Sequence, residues 1–161
     1  MQSNDMSVTE LKTFAGSGGY ETIWHPYHDG STKLAGFNRW AAILGVQWFF
    51  YRKLYMFGVG ALIGDVLLLG GTPLIATAAF GPKNGAGIAL ILGCLFLWRS
   101  ILGFAANVLY YRKAVKTINV LSELNVTNEE YLQRLATAGG VSIGAVFGLL
   151  FAGILARFAL S

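Results

Sequence analysis

The chain has 161 residues, of which 55% are hydrophobic and 12% are charged, and its formal net charge is +4 at pH 7. About a quarter of the residues in an ordinary soluble domain are charged, so this composition excludes that class and indicates an integral membrane protein. The single cysteine, Cys94, leaves no disulfide framework or thiolate metal cluster. Basic residues stand at the ends of apolar segments rather than in one soluble patch, which argues against a nucleic-acid partner.

Residues 1–33 are polar and broken by glycines, and we expect them to form a soluble N-terminal arm. Ser7 and Glu10 have the spacing of a capping box, which would begin a short helix. The arm also contains an H-x-x-H-D cluster made of His25, His28 and Asp29. A metal site needs three or four ligands and no second cluster of Cys or His follows, so we expect a surface loop or partner contact and no bound metal.

Residues 37–51 contain an apolar run of about twelve residues, whereas a helix that crosses a bilayer needs about twenty. Basic residues stand at both ends of this run. We therefore predict an interfacial or re-entrant helix at the cytoplasmic side. Its aromatic and basic side chains favour the membrane interface, and we expect docking there by Trp40, Trp48, Tyr51, Arg52, Lys53 and Tyr55.

Three later segments are apolar and long enough to span a membrane, namely residues 54–80, 86–110 and 139–160. Residues 111–138 lie between the second and third spans and predict an amphipathic cytoplasmic segment. Within it, a capping box at Thr127 would begin a short helix. The predicted fold is all-α, with three transmembrane helices and these two additional elements in one membrane domain, residues 34–160.

The distribution of positive charge predicts the orientation, because basic residues remain on the cytoplasmic side. Basic residues precede the first span and follow the second, so we expect a cytoplasmic N-terminus and an outside C-terminus. The same side chains are expected to contact phospholipid headgroups, and they are Arg52, Lys53, Arg112, Lys113 and Lys116.

Two motifs, FNRWAAILGVQWFFYRKLY and GFAANVLYYRKAVKTI, together with the small residues before the last span, resemble a family of small bacterial inner-membrane proteins known only as a domain of unknown function. The resemblance covers residues 34–160. It implies a location in the bacterial inner membrane and brings no activity or catalytic residue with it. The chain departs from the family pattern at Gly45-Val46, where Gly-Pro is frequent, and in its histidine-containing arm.

Asp65 and Arg99 are charged residues inside the first and second spans, each seventeen residues from Pro82 in the connecting turn. An antiparallel hairpin would place them at the same depth in the middle of the membrane, where an unpaired charge costs about 2.5–3.5 kcal/mol. We expect an intramembrane ion pair. It could fix the register of the hairpin, take part in a proton or ion step, or meet a charge on another subunit.

Small residues recur at every fourth position of the third span and predict a helix-packing ridge, made of Gly140, Gly144, Gly148, Ala152 and Ala156. This ridge could pack within the chain, against Gly60 and Gly64 of the first span. It could instead pack on a helix of a partner or of a second copy.

The sequence offers no nucleophile with a base, no glycine-rich phosphate loop and no paired carboxylates, so we expect neither an enzyme nor a cofactor. We expect a non-catalytic accessory or interaction subunit that packs on a larger membrane protein complex and stabilises it. The alternative is a small transporter or channel component that uses the mid-membrane pair of Asp65 and Arg99.

Overall fold

The computed structural model describes residues 8–16, 19–32 and 35–159, and in these residues it contains helices and no strands. The helices follow one another as α1 (Val8–Ala15), α2 (Tyr20–His28), α3 (Arg39–Leu44), α4 (Val46–Tyr51), α5 (Tyr55–Phe80), α6 (Gly85–Ser122), α7 (Asn128–Gly139) and α8 (Ile143–Ala159). Ser7, the first residue of the expected capping box, lies outside the described residues.

Three helical segments are long and apolar enough to cross a membrane, and they are Tyr55–Phe80, Gly85–Ser122 and Asn128–Leu155. The third segment includes α7 and most of α8, and its apolar residues lie mainly in α8. The predicted all-α architecture with three transmembrane helices is confirmed, and the chain is a multi-pass membrane protein. The 38 residues of α6 correspond to about 57 Å, nearly twice the thickness of a hydrocarbon core, so its second half extends beyond the span.

We call the packed region formed by α1 to α4, α7 and the part of α6 from Leu102 onward the aromatic base. At its centre is the ring of Tyr110, which is fully buried. The centroid of this ring lies 5.2–6.1 Å from the ring centroids of four aromatic residues, Phe14, Tyr20, Trp24 and Trp48. Such aromatic pairs bury large areas and add attraction between ring edges and faces. The base therefore has a core of its own, beyond the sparsely packed first half of α6.

The N-terminal segment, for which the sequence predicts a soluble arm, packs on its own chain. Phe14 of α1 and Trp24 of α2 are fully buried in the aromatic base. Gly139 of α7 allows α1 to approach closely, because a Cβ atom at this position would lie 1.9 Å from the carbonyl oxygen of Phe14. The segment is an integral part of the core, since four of its large apolar residues are buried there, namely Leu11, Phe14, Tyr20 and Trp24.

Residues 37–51 form two six-residue helices, α3 and α4, rather than one helix. At the start of α3, the backbone N–H of Asn38 donates to Gly103 of α6. At the break between the helices, Gly45 lies against Arg99 of α6, and at the end of α4 the chain returns to the level of Tyr110. The element is thus a helical hairpin that runs along α6 as far as Arg99 and then turns back. We call it the re-entrant hairpin.

The start of α8 is tied to the re-entrant hairpin, because the backbone N–H of Ser142 donates to the carbonyl oxygen of Tyr51 at 2.8 Å. The preceding helix, α7, begins at the predicted capping residue, since the side chain of Thr127 accepts a hydrogen bond from the backbone of Glu130. Among the described residues α8 packs chiefly on α4. Its outer part stands apart from the α5–α6 pair.

Candidate functional site at the tip of the re-entrant hairpin

Asp65 and Arg99 lie together between α5 and α6, as their spacing from the turn predicts. Nη2 of Arg99 is 3.4 Å from Oδ2 of Asp65. The neighbouring indole of Trp98 donates from Nε1 to Oδ1 of Asp65 at 2.8 Å. The carboxylate therefore accepts on both oxygens, from a cation and from a neutral donor, which offsets the cost of placing its charge in an apolar layer.

Gly45 completes this site from the re-entrant hairpin. A Cβ atom at Gly45 would lie only 1.7 Å from Nη1 of Arg99, and the backbone of Gly45 has φ 55°. Both the positive φ and the close approach favour glycine here. The sequence did not connect Gly45 with Arg99, because the fold of the hairpin decides which residue of α6 its tip meets.

The tip of the re-entrant hairpin marks the level of the pair, because Gly45 lies against Arg99. Asp65 stands fifteen residues before the end of α5, and Arg99 stands fourteen residues after the start of α6. These separations correspond to about 21–23 Å of helix on the side of the turn. The mid-membrane position of the pair stays a prediction.

Two cavities separate this site from α8. One, of about 580 Å³, is bordered by Arg99 and by Val146 of α8. The other, of about 440 Å³, is bordered by Asp65 and by Leu149 of α8. Gln47 of α4 lines both cavities, and Nη1 of Arg99 is buried without a hydrogen-bond partner in the described part of the chain. The site therefore combines the ion pair of Asp65 and Arg99, the side-chain amide of Gln47, and a guanidinium N–H of Arg99 that has no acceptor among the described residues.

The predicted helix-packing ridge is open over most of α8. Cβ atoms placed on Gly144 and Gly148 would meet no other group within 4 Å, and Ala152 is exposed. Gly140 lies instead at the junction between α7 and α8, and the side chain of Ala156 is outside those that the structure describes.

The first-span glycines named as internal partners of the ridge lie elsewhere. A Cβ atom at Gly64 would meet the ring of Trp98 on α6, and Gly60 has open space. The ridge therefore does not pack against Gly60 and Gly64 in the described structure.

The predicted docking residues divide into an exposed and a buried group. Trp40 and Tyr55 are 60% and 45% exposed, whereas Trp48 is 3% exposed. Arg52 is also buried, and its guanidinium lies 4.8–5.4 Å from the ring centroids of three tyrosines, Tyr20, Tyr51 and Tyr110. Arg52 therefore does not contact lipid headgroups as predicted, because cation–π contacts hold it inside the aromatic base.

The other predicted headgroup residues share one surface. Lys53, Arg112, Lys113 and Lys116 line a groove of about 460 Å³ where α5 begins and α6 leaves the span. Two of them also contact the backbone, since Lys53 Nζ donates to Thr137 O, and Lys113 Nζ donates to the carbonyl oxygens of Arg52 and Lys53.

The histidines of the arm contact their own chain. Nδ1 of His28 lies 2.6 Å from the hydroxyl of Tyr111 on α6, and His25 lies 3.5 Å from Asp29. Hydrogen bonds from Ser31 lower the pKa of Asp29. In the residues that the structure describes, no three His, Cys, Asp or Glu side chains gather where they could hold a metal ion.

A buried amide pair joins the two motifs that carry the family resemblance. Asn38 Nδ2 donates to Asn107 Oδ1 at 2.8 Å, and Asn107 Nδ2 donates to the carbonyl oxygen of Ala35 at 2.9 Å. Asn107 is 1% exposed. An asparagine between apolar residues of a helix was the available signal, because a buried amide requires partners. These motifs hold the re-entrant hairpin against α6.

Residues 21–116 match the model of a family described as "Protein of unknown function (DUF2628)". This match covers more than half of the chain. It begins in α2 and ends in α6, so it includes the re-entrant hairpin and the Asp65–Arg99 pair but neither α7 nor α8. No curated protein and no solved structure matches the chain.

Proposed function

The chain belongs to the DUF2628 family of proteins of unknown function, and we propose that it is a non-catalytic accessory subunit that packs on a larger membrane protein complex and stabilises it. The observation that supports this function is the open face of α8. Gly144 and Gly148 have open space beside them, on the side of α8 opposite to Val146 and Leu150, which border the cavity next to α4, whereas Ala152 borders the cavity beside Asp65.

The open part of the helix-packing ridge is suited to close contact with another helix. Lipid tails are as apolar as leucine, so helices associate in a bilayer through dispersion contacts and hydrogen bonds that need a close approach. Two large apolar side chains next to the ridge are exposed, Phe147 at 67% and Phe151 at 62%. A partner helix seated on Gly148 would lie against these rings and cover them.

Substitution of Gly148 tests this function. The position has open space within the chain, and leucine is a better helix former than glycine, so Gly148→Leu leaves the isolated chain folded. We expect it to reduce co-purification of partner chains after mild detergent extraction, measured by native mass spectrometry. Gly148→Ala is the matched control, because it keeps a small surface. An assembly that is equally intact in both variants contradicts the accessory role.

A second candidate function is that of a small transporter or channel component, and the cavities beside Asp65 and Arg99 favour it. They place Gln47 and the side chain of Arg99 next to space that water or an ion could occupy. Three spans are few for a complete pathway, so this function requires an oligomer. A pure homo-oligomer in the native mass measurement supports it over the accessory role.

The proposed location is the bacterial inner membrane, with the aromatic base on the cytoplasmic side and the C-terminus outside. Three basic residues, Arg112, Lys113 and Lys116, lie in the part of α6 that belongs to the base, whereas the α5–α6 turn has one basic residue, Lys83. An engineered cysteine at Asn84 should react with an impermeant reagent in intact cells, and one at Asn125 only after permeabilisation. The reverse pattern contradicts this orientation.

A further inference from the structure

The groove where α5 begins beside α6 concentrates positive charge without an internal counter-ion. Its cations are Lys53, Arg112, Lys113 and Lys116. None of these four forms a salt bridge with a carboxylate in residues 8–16, 19–32 and 35–159. Like charges placed together repel one another, so a bound anion would stabilise the folded arrangement.

Lys113 is fixed within this cluster. It is partly buried, and Nζ donates to the carbonyl oxygens of Arg52 and Lys53 at 3.3 and 3.2 Å. Lys53 has φ 57°, a left-handed conformation that is uncommon in residues other than glycine and that costs free energy. The backbone turn at Lys53 thus directs carbonyl oxygens at Lys113 and holds its ammonium group at the wall of the groove.

The rest of the groove is apolar and faces outward. Its wall includes Leu54, Met56, Phe57 and Leu109, and Met56 and Phe57 are 82% and 48% exposed. These residues begin α5, where the apolar span starts, whereas Arg112 and Lys116 lie one to two turns beyond Leu109 on α6. Cations and apolar surface therefore lie in the order in which a phospholipid presents its phosphate and its acyl chains.

From this arrangement we infer that the groove is a binding site for an anionic phospholipid, with its phosphate on Lys53, Arg112, Lys113 and Lys116 and an acyl chain along Met56 and Phe57. Basic pockets at the cytoplasmic ends of transmembrane helices are suited to such headgroups. A free phosphate would use the cations but would leave the apolar wall uncovered. The site is independent of the α8 face, so loss of either proposal leaves the other standing.

Native mass spectrometry of the delipidated full-length chain tests this site, with cardiolipin and phosphatidylethanolamine as probes. We expect cardiolipin to be retained and phosphatidylethanolamine to be lost. The variant Arg112→Gln/Lys116→Gln removes two exposed cations that have no other described contact, so its fold is retained. We expect it to weaken cardiolipin binding roughly tenfold or more, since each basic residue near the surface contributes to the attraction.

Lys83→Gln/Arg157→Gln is the matched control, because it removes the same charge away from the groove and should leave cardiolipin binding unchanged. Equal weakening in both double variants would show general charge attraction and overturn the site. Equal retention of the two lipids would also overturn it. Full displacement of cardiolipin by an equal concentration of inorganic phosphate would assign the cations to a free anion and overturn the lipid.

Discussion

The two halves of α6 differ sharply in how they are packed. Between Gly85 and Ile101, Gly87 alone is buried, whereas the second half buries Leu102, Gly103, Ala106, Asn107, Tyr110, Ala114 and Ile118. The same helix therefore belongs to a sparsely packed membrane region and to a closely packed aromatic base. In the most apolar stretches of the three spans, only 11%, 11% and 6% of the residues are buried.

We attribute the difference in packing to the solvent around each region, with the base in water and the first half of α6 in lipid. Water drives apolar side chains together, so the base needs a core that its own chain supplies. Lipid tails cover apolar side chains without that force, and helices in a bilayer need close surfaces or polar contacts to associate. Stability of the chain should accordingly depend on the base, whereas the spans remain available to lipid and to other helices.

Replacement of Trp24 should give the largest effect, because it removes a fully buried ring from the base. We expect Trp24→Ala to lower the free energy of unfolding by about 3–5 kcal/mol. Denaturant titration of the detergent-solubilised chain, followed by circular dichroism, measures this loss.

The matched control is Trp40→Ala, since Trp40 is 60% exposed. Its effect should stay within about 0.5 kcal/mol, as at other surface positions. Equal losses at the two tryptophans would mean that the N-terminal helices contribute no more to stability than the membrane surface does.

Features that depend on local pattern or on counting were predictable from the sequence. Hydropathy gives the three spans, the capping residue Thr127 begins α7, and equal distances from Pro82 bring Asp65 and Arg99 together. These predictions succeed because the register of an antiparallel hairpin is set by its turn.

Features that depend on distant contacts were not predictable. Leu11, Phe14 and Ala15 have the spacing of one helix face, but their burial requires α6 and α7, about a hundred residues later. Arg52 could equally snorkel to a headgroup or stack on tyrosines, and only the position of Tyr20 and Tyr110 around it decides. Charge and hydropathy along the sequence contain no information about these neighbours.

Gly45 links the two regions, because the re-entrant hairpin belongs to the base while its tip contacts Arg99. We expect Gly45→Ala to lower the free energy of unfolding by about 1–3 kcal/mol from backbone strain and further by displacing Arg99 from Asp65. The same denaturant titration measures the loss.

Gly81→Ala separates the two causes. Gly81 also has a positive φ of 81°, but a Cβ atom there would meet nothing within 4 Å, so this variant has the strain without the displaced cation. Removal of the guanidinium by Arg99→Leu should abolish the additional loss at Gly45. An additional loss that persists in the Arg99→Leu background would mean that the tip does not act through Arg99.

The smallest expected effect is the difference in coupling energy between two ion pairs, one in the spans and one in the base. Asp65 and Arg99 are 3.4 Å apart in the spans, whereas Glu130 and Arg134 are 2.6 Å apart on the exposed side of α7. Distance alone would favour the pair on α7. Water and salt weaken that pair, for which about 0.3–0.5 kcal/mol is typical, whereas coupling within a membrane reaches about 0.6–1.7 kcal/mol.

A double-mutant cycle of Asp65→Asn and Arg99→Leu measures this coupling, and Glu130→Gln with Arg134→Leu is the reference cycle. Either single change in the spans leaves a lone charge in an apolar layer, so the double variant should be more stable than the two separate losses predict. Coupling in the spans should exceed coupling on α7 despite the longer distance. If the coupling in the spans is no larger, water reaches Asp65 and Arg99 through the cavities beside Gln47. The two ion pairs would then have similar surroundings, and the contrast between an apolar span region and a solvated base would not hold at Asp65 and Arg99.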